Sequence, residues 1–437
     1  MPGNQLSQAF VRTGMLDAKQ PPAGETGLIL WIRKNLLSSW LNIILTVLVA
    51  YAALRLALGL WPWFSNSVWQ ASSLADCRTI LAEQGLGPTD GACFAVVTDR
   101  WHQLIFGFYP TDLYWRPILA MILFLGGIAP ILFFSLPRSL LIFSCLAPFV
   151  CFWLLWGGTA WLPLLIVAGL AGGYALTRFV GAVISPTLTG LVTLALLIGF
   201  FWFGLMPLVG LMEAGLSLSI RPVASREFGG FMLAATIGLS AIVLSLPLGV
   251  LLALARQSDL PLIKWSAIIF IEVVRGVPLI VWLFTAQLLL NYFLPPGTSF
   301  DLTLRVIIMV TLFAAAYIAE VIRGGLVALP KGQHEGAVSL GLSYWQSRRL
   351  IILPQALKIS IPGIVNEFIG LFKDTTLVVF IGLLDPIGVT RAIRATPEWN
   401  GVYWELFIFV GLLFYVVCYA MARYSLHLEN LLRRDNY

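Results

Sequence analysis

The stretch Lys331–Lys358, KGQHEGAVSLGLSYWQSRRLIILPQALK, is a hydrophilic segment between two long apolar runs. It concentrates charged side chains in a chain where Asp, Glu, Lys and Arg make up only 11% of the residues. Basic loops beside membrane spans are retained on the cytoplasmic side. The segment therefore predicts a membrane protein and sets the expected orientation of the spans on either side of it.

Composition places the chain among polytopic α-helical membrane proteins. Of its 437 residues, 59% are hydrophobic, the mean hydropathy is +0.90, and several apolar runs are long enough to cross a bilayer as helices. The short alternating segments of an outer-membrane barrel are absent from the sequence. The basic residues behind the net charge of +6 flank the apolar runs, so they indicate topology and predict no nucleic acid partner.

We predict an all-α fold with about ten transmembrane helices. A cytoplasmic tail is expected over residues 1–35, an N-terminal transmembrane region over 36–227, a second one over 228–428, and a cytoplasmic tail over 429–437. The spans predicted in the first region are 37–60, 116–136, 139–157, 161–181 and 187–207. Those predicted in the second region are 228–256, 266–294, 302–326, 359–385 and 402–424.

Residues 64–115 are predicted to form a long periplasmic loop, and both Cys77 and Cys93 fall within it. An oxidising compartment permits a disulfide between them, and two free thiols are the equally open alternative. Cysteines at metal-ligand spacing are absent from the sequence, so no metal site is predicted.

Charged residues are distributed unequally between the two regions. The first five spans contain almost none and are interpreted as scaffold, whereas the second region has Glu272 with Arg275 and Glu320 with Arg323. A charge at the bilayer centre costs roughly 2.5–3.5 kcal/mol. Because residues three apart share a helix face, local ion pairing, or a position near the membrane interface, is the favoured interpretation for most of these residues.

The alternative interpretation is a polar cavity that binds the ammonium or carboxylate of a small zwitterion. The residues predicted to line that substrate pathway are Glu320, Asn366, Glu367 and Asp374. A proline removes a backbone hydrogen bond from a helix, so Gly276–Pro278 is predicted to kink or break its span and to leave carbonyls that face such a cavity.

Within the cytoplasmic loop 331–358, a helix is predicted from Glu335 to Leu340. Gly341 is predicted to end it in a left-handed conformation, and a second helical run is expected over Tyr344–Leu350. The small residues leave a helix surface with little bulk, which suits a groove on another protein. An interfacial helix that contacts membrane lipid head groups is an equally open interpretation.

The spacing E-x-A, then G, then I-x-L-P resembles the EAA loop of permease subunits of ATP-binding-cassette (ABC) importers. Gly336 stands where that family usually has a second alanine, which keeps the position small. The resemblance implies a coupling helix that is seated in a cleft of a separate ATPase subunit. The implied coupling residues are Glu335, Gly336, Ala337, Gly341, Ile351, Leu353 and Pro354.

Four further segments look like the polar amino acid branch of these permeases: Glu272–Pro278 (EVVRGVP), Tyr317–Gly325 (YIAEVIRGG), Gly341–Trp345 (GLSYW) and Phe372–Leu377 (FKDTTL). With its long N-terminal region, the chain is similar to the larger permease of general L-amino acid importers of Gram-negative bacteria. The resemblance implies a type I importer core in residues 228–428 and a bacterial inner-membrane location with both termini cytoplasmic. The implied partners are a second homologous permease, an ABC ATPase dimer that binds ATP and Mg²⁺, a periplasmic amino acid-binding protein and an L-amino acid substrate.

Other function classes fit the sequence less well. A membrane-embedded metalloprotease needs HExxH, but Val338 occupies the position of the second histidine after His334-Glu335, and no catalytic residues are predicted. The sequence contains no Gly-Lys dipeptide and hence no Walker phosphate loop. The chain is therefore not its own Walker-type ATPase, and no cofactor is predicted in it. An ion-coupled secondary transporter or a channel remains the alternative.

Overall fold

The computed structural model describes residues 27–133, 136–180, 186–289 and 301–434. Residues 1–26 and 435–437 of the predicted tails lie outside the described residues, as do residues 134–135 of the predicted span 116–136, residue 181 of the span 161–181 and residues 290–294 of the span 266–294. Within the described ranges the chain is built almost entirely from helices.

The helices are numbered α1 to α18 in chain order over the described residues. The first nine are α1 Gly27–Asn35, α2 Trp40–Ser65, α3 Leu74–Glu83, α4 Ala95–Phe106, α5 Trp115–Leu132, α6 Leu140–Trp156, α7 Trp161–Val180, α8 Pro186–Gly199 and α9 Leu205–Gly215. The others are α10 Gly230–Arg256, α11 Pro261–Gly276, α12 Leu279–Phe284, α13 Leu302–Val327, α14 Lys331–Ser339, α15 Tyr344–Ser347, α16 Leu353–Asp374, α17 Pro386–Arg394 and α18 Trp404–Arg434. Two short strands, β1 Gly158–Thr159 and β2 Ser219–Ile220, pair antiparallel.

Short 3₁₀ and π segments extend or link these helices. The 3₁₀ segments are Thr111–Leu113, Ser225–Glu227 and Thr375–Ile381, and the π segments are Phe200–Gly204, Thr285–Leu289 and Arg348–Ile352. Seven helical stretches of the described residues are long and apolar enough to cross a membrane, and an eighth is added if a bent pair is one span. The seven are Trp40–Ser65, Thr111–Leu132, Trp161–Phe179, Leu188–Gly215, Gly230–Arg256, Leu302–Val327 and Trp404–Leu431.

The prediction of an all-α polytopic protein is therefore confirmed. Three of the ten predicted spans lie outside the seven, and one of these three, 266–294, contains the bent pair. The predicted span 139–157 is the shorter apolar helix α6. The predicted span 359–385 is divided between the more polar helix α16 and the 3₁₀ segment Thr375–Ile381.

The predicted span 266–294 is broken rather than continuous. Its described part is a pair of helices, Pro261–Gly276 and Leu279–Leu288, that meet at an angle of 102°. Val277 between them is extended, at φ −117° and ψ 133°, which is the conformation that a following proline imposes. The predicted break at Gly276–Pro278 is thus present.

The chain forms two compact units. The first comprises the described part of Met1–Val68 together with Arg78–Ala92. It contains α2, which has no buried side chain. The end of this helix is tied to the segment 78–92 by two backbone hydrogen bonds, in which Val68 donates to the Ala92 carbonyl and Ala92 donates to the Trp63 carbonyl.

The second unit, Trp69–Cys77 with Cys93–Tyr437, has its core between α10 and α13. Leu233 and Ile237 of α10 are fully buried, as are Val306 and Ile318 of α13. Gly249 permits the close approach of the two helices, because a Cβ there would lie 2.6 Å from Ile318 Cγ2. The two helices therefore form a close-packed pair that positions the charged side chains described below.

The predicted loop 64–115 contains the helices α3 and α4, and the second unit anchors one end of it. Cys77 and Cys93 form a disulfide, so the question that the sequence left open is answered. At the start of α4, the Cys93 amide donates to Glu405 Oε1 of α18 over 2.9 Å. Further along α4, Trp399 Nε1 donates to Asp99 Oδ2 over 3.0 Å. This segment is thereby joined to the C-terminal helices.

A glycine pair makes a second junction between the N-terminal region and the C-terminal core. Gly107 has φ +67°, and a Cβ at this position would overlap the backbone of Gly229. We expect Gly107→Ala to lower the free energy of unfolding by roughly 2–3 kcal/mol, the upper part of the range for single substitutions. Thermal denaturation in detergent measures this loss of stability.

Gly85→Ala is the matched control for this substitution. Gly85 also has a positive φ, +74°, but nothing lies within 4 Å of a Cβ there. We expect only the conformational cost of about 1–2 kcal/mol. Equal losses for the two variants would show that the close approach at Gly107 contributes nothing to stability.

Candidate functional site

The loop 331–358, which contains the predicted coupling residues and is called the coupling loop below, is a compact bent segment whose turns are specified by its sequence. α14 begins after Pro330 and ends where Gly341 adopts φ +70°. Two backbone bonds close this end, since Gly341 donates to the Val338 carbonyl and Leu342 donates to the Ala337 carbonyl. The left-handed conformation at Gly341 costs little only because glycine has no Cβ.

The second helical run starts with a capping box. The Ser343 amide donates to Gln346 Oε1 over 2.9 Å, and the Gln346 amide donates to Ser343 Oγ over 3.4 Å. This reciprocal pair satisfies two amides that α15 would otherwise leave free. The helix–glycine–helix arrangement predicted for the loop is therefore present, with α14 starting at Lys331 rather than Glu335.

The loop presents apolar side chains to its surroundings. Val338 is 62% exposed, Leu340 75%, Trp345 66% and Leu350 64%. Ala337, by contrast, is buried within the chain. Gly336 is also open, because a Cβ there would meet nothing within 4 Å.

The loop is connected rigidly to the helices on either side of it. Ile352, which immediately precedes α16, and Ala356 of α16 are buried in the same cluster as Ile322 and Leu326 near the end of α13. Gln355 Nε2 of α16 donates to Gln333 Oε1 of α14 over 3.0 Å. Movement of the loop would therefore be transmitted to α13 and α16.

The other predicted coupling residues lie along this connection. Glu335, Gly336 and Gly341 are exposed on the loop. Ile351 packs against the buried cluster, whereas Leu353 is half-buried and Pro354 is exposed. The structure thus places three of the predicted coupling residues on the outside of the loop and the last three at its junction with α16.

A network of five charged residues links three helices beside the loop. Glu320 of α13 lies at its centre, with its oxygens 2.7 Å from Arg256, 3.6 Å from Arg275 and 3.0 Å from Arg323. Arg256 of α10 also pairs with Glu272 of α11 over 2.9 Å. The Glu320 side chain is only 14% exposed. Its charge is therefore compensated by three guanidinium groups from three helices.

Of the two ion pairs predicted within single helices, one is present and the other is not. Glu320 and Arg323 do pair at i,i+3. Glu272 and Arg275 instead make their ion pairs with Arg256 and Glu320, because α11 turns these side chains toward α10 and α13 rather than toward each other. Arg275 also lies over the Tyr317 ring, 5.2 Å from its centroid.

The remaining predicted pathway residues are on α16. Asn366 is exposed, and Glu367 and Asp374 are half-buried. Arg275 and Asp374 are both within electrostatic reach of the Glu367 carboxylate. No hydrogen bond or ion pair of Glu367 is found among the described residues.

Two apolar cavities lie beside these helices, and none of the four predicted pathway residues lines either of them. One, of about 430 Å³, lies between α11, α12 and α13 and includes Phe270, Trp282 and Phe313. The other, of about 340 Å³, lies between α5, α6, α10 and the start of α13.

Sequence analysis did not single out two arginines that lie within or at the edge of an apolar helix. Arg305 is 8% exposed and donates to the carbonyls of Ala286 and Gln287 over 3.1 and 3.0 Å, which ties the start of α13 to the π segment that follows α12. Arg55 lies inside the apolar helix α2 and is one of the few charged residues of the first five predicted spans. Both were detectable as isolated arginines within or at the edge of an apolar run.

Comparison with known proteins agrees with this architecture. Residues 245–434 match the family model described as "binding-protein-dependent transport system inner membrane component". The chain is 51% identical to the glutamate/glutamine/aspartate/asparagine transport system permease protein BztC of Rhodobacter capsulatus, over 98% of this chain and 99% of that protein. It is 36% identical to the inner membrane amino-acid ABC transporter permease protein YhdY of Escherichia coli, over 92% of each.

Shorter relatives match the C-terminal half alone. The probable glutamine ABC transporter permease protein GlnP of Bacillus subtilis is 31% identical over 46% of this chain and 90% of its own length. A solved structure described as an amino acid ABC transporter with histidines is 29% identical over 45% of this chain and 89% of its own, with a TM-score of 0.41. The full-length matches show that the chain belongs to the family of amino-acid ABC importer permeases, which are transport components rather than enzymes.

Proposed function

We propose that this chain forms the translocation path of an ATP-driven amino acid importer together with a second, homologous permease. The exposed apolar and small residues of the coupling loop support this assembly, since they suit a cleft on another protein. The partner would be an ABC ATPase dimer, which binds ATP and Mg²⁺. The chain itself has no phosphate loop, so the energy for transport comes from that partner.

The proposed orientation follows from the charge of the loops. With the coupling loop 331–358 in the cytoplasm, both chain termini are cytoplasmic in the inner membrane. The ends of α4 and α10 that meet at Gly107 and Gly229 then face the periplasm. A periplasmic amino acid-binding protein would deliver its ligand at this face.

The proposed mechanism is alternating access. ATP-driven closure of the ATPase dimer moves α14 as a rigid lever, because α14 is joined to α13 and α16 by the contacts of Gln355 and the buried cluster at Ile352. Rocking of α13 and α16 would open the midplane path to the periplasm, and ATP hydrolysis would return it to the inward-facing state.

Copurification in mild detergent tests the assembly. We expect an ATPase and a second permease to be recovered with this chain, and the reconstituted complex with its binding protein to take up labelled amino acid on addition of ATP. Glutamate, glutamine, aspartate and asparagine are the first substrates to test, because the 51% identical relative is named for them. Uptake driven by an ion gradient without an ATPase would instead identify a secondary transporter.

Glu367 is the pathway residue with the clearest expected effect on uptake. Because its carboxylate has no partner among the described residues, we expect Glu367→Gln to lower the uptake rate about tenfold without dissociating the ATPase. The initial rate of labelled uptake into proteoliposomes measures this effect, and Gly370→Ala on the same helix, where a Cβ would meet nothing within 4 Å, is the control. A normal rate for Glu367→Gln would remove Glu367 from the pathway.

A further inference from the structure

The helix α2 contains a charged residue near its centre. Arg55 follows Trp40 by 15 residues and precedes Ser65 by 10, so it lies about 22 Å and about 15 Å from the two ends at 1.5 Å per residue. It is within about 4 Å of the midpoint of the helix. This depth is the middle of the hydrocarbon layer, which is about 30 Å thick.

The Arg55 side chain is too short to reach a polar partner at either end of the helix. Both membrane interfaces are farther away than an arginine side chain reaches, so the guanidinium cannot reach the lipid head groups by extending along the helix. Arg55 makes no hydrogen bond or ion pair in the part of the chain that the structure describes. Charged residues at this depth normally face a protein partner.

A second polar group lies on the same face. Tyr51 precedes Arg55 by one helical turn, is 62% exposed, and also has no hydrogen bond among the residues described. Ala52 and Gly59 lie on this face as well, and small residues allow a second helix to approach closely. The face of α2 defined by Tyr51, Ala52, Arg55 and Gly59 thus combines two hydrogen-bond donors with little bulk.

The chemistry of this face specifies its partner. A guanidinium accepts no hydrogen bonds and pairs best with a carboxylate, and the Tyr51 hydroxyl can donate to the same group. A symmetric contact between α2 helices of two copies would bring Arg55 against Arg55, which electrostatic repulsion disfavours.

We propose that the Tyr51–Arg55 face of α2 binds a membrane-spanning helix of the second permease subunit, which carries an Asp or Glu at mid-membrane depth. The inference rests on the proposed assembly of two permeases. It assigns a role in subunit pairing to part of the N-terminal region.

The test uses the tagged full-length chain coexpressed with the rest of the transporter. The second permease recovered on purification in mild detergent is measured for Arg55→Leu, Tyr51→Phe and Ala52→Leu. Ala53→Leu is the matched control, because Ala53 lies at the same depth but about 160° around the helix from Arg55. The amount of this chain in the membrane fraction is measured for each variant as a control for insertion.

We expect Arg55→Leu to reduce recovery of the second permease at least tenfold at unchanged insertion, because the carboxylate of the partner is left unpaired in the membrane. Tyr51→Phe and Ala52→Leu should reduce recovery about threefold, and Ala53→Leu should not change it. A photocrosslinking residue at Leu58, on the side of Arg55, should form adducts with the second permease.

Native recovery in the Arg55→Leu variant, or adducts only with lipid or with a second copy of this chain, would overturn the inference and leave the proposed transport function intact. Failure of the native chain itself to recover a second permease would refute the proposed assembly as well.

Discussion

Replacing Gly341 with valine is expected to abolish ATP-driven uptake while the protein remains inserted in the membrane. The left-handed conformation costs an ordinary L-residue about 1–2 kcal/mol, and a β-branched residue is a stronger outlier there. Because nothing lies within 4 Å of a Cβ at Gly341, the valine side chain clashes with no neighbour. The strain is therefore in the backbone, and it is relieved by rearranging the turn between α14 and α15.

This rearrangement disrupts the connection that the proposed mechanism needs. The turn holds Leu340 and the start of α15 in place through the bonds of Gly341 and Leu342. A loop that changes shape when the ATPase closes cannot move α13 and α16. We therefore expect uptake to fall at least a hundredfold, while ATP hydrolysis by the assembled complex persists and no longer depends on the binding protein.

Two substitutions at the same loop separate backbone strain from simple loss of glycine. Asparagine adopts the left-handed conformation more readily than other residues, so Gly341→Asn should retain most of the uptake. Gly336→Ala lies inside α14, where a Cβ meets nothing, and should be nearly silent. Uptake and ATPase rates in proteoliposomes measure all three variants, and normal uptake by Gly341→Val would exclude the rigid lever.

Features of the loop were predictable because local rules determine them. Gly341 as a helix end and the capping of α15 by Ser343 depend only on residues within one or two turns. The break at Pro278 likewise follows from the missing amide of proline. The angle of 102° between the two parts of the span 266–294 was not predictable, because the direction in which the chain continues after a break depends on packing with other helices.

Contacts between residues that are far apart in the sequence could not be predicted from it. Hydropathy marks both α2 and α13 as spans, but it does not reveal that α13 is largely buried whereas α2 is exposed. The attachment of α4 to Trp399 and Glu405 joins residues about three hundred positions apart, and no local pattern encodes such a pairing. The ion pair predicted between Glu272 and Arg275 was wrong for the same reason, since the partner of Glu272 is Arg256, which lies on another helix.

The network around Glu320 makes its substitution the largest expected loss of stability in the chain. Three arginines and two glutamates give the cluster a formal charge of 3 − 2 = +1. Glu320→Gln raises it to +2 and leaves Arg275 and Arg323 without an ion-pair partner among the described residues. Breaking a buried ion pair costs about 3–5 kcal/mol, and the partial exposure of the arginines places the expected loss near the lower limit.

Glu272→Gln is the matched control, because it also removes one negative charge from the same cluster. The Glu272 side chain is 55% exposed and, within the described ranges, pairs with Arg256 alone, so the expected loss is at most about 1 kcal/mol. The double variant Glu320→Gln/Arg275→Gln returns the cluster to +1 and should recover part of the stability lost by Glu320→Gln. Thermal denaturation in detergent measures each variant, and the non-additivity of the pair reports their coupling energy.

If Glu320→Gln and Glu272→Gln had equal and small effects, the three arginines would be stabilised mainly by water and lipid. The cluster would then not hold α10, α11 and α13 together, and the motion of α13 would have to be guided by apolar packing with α16.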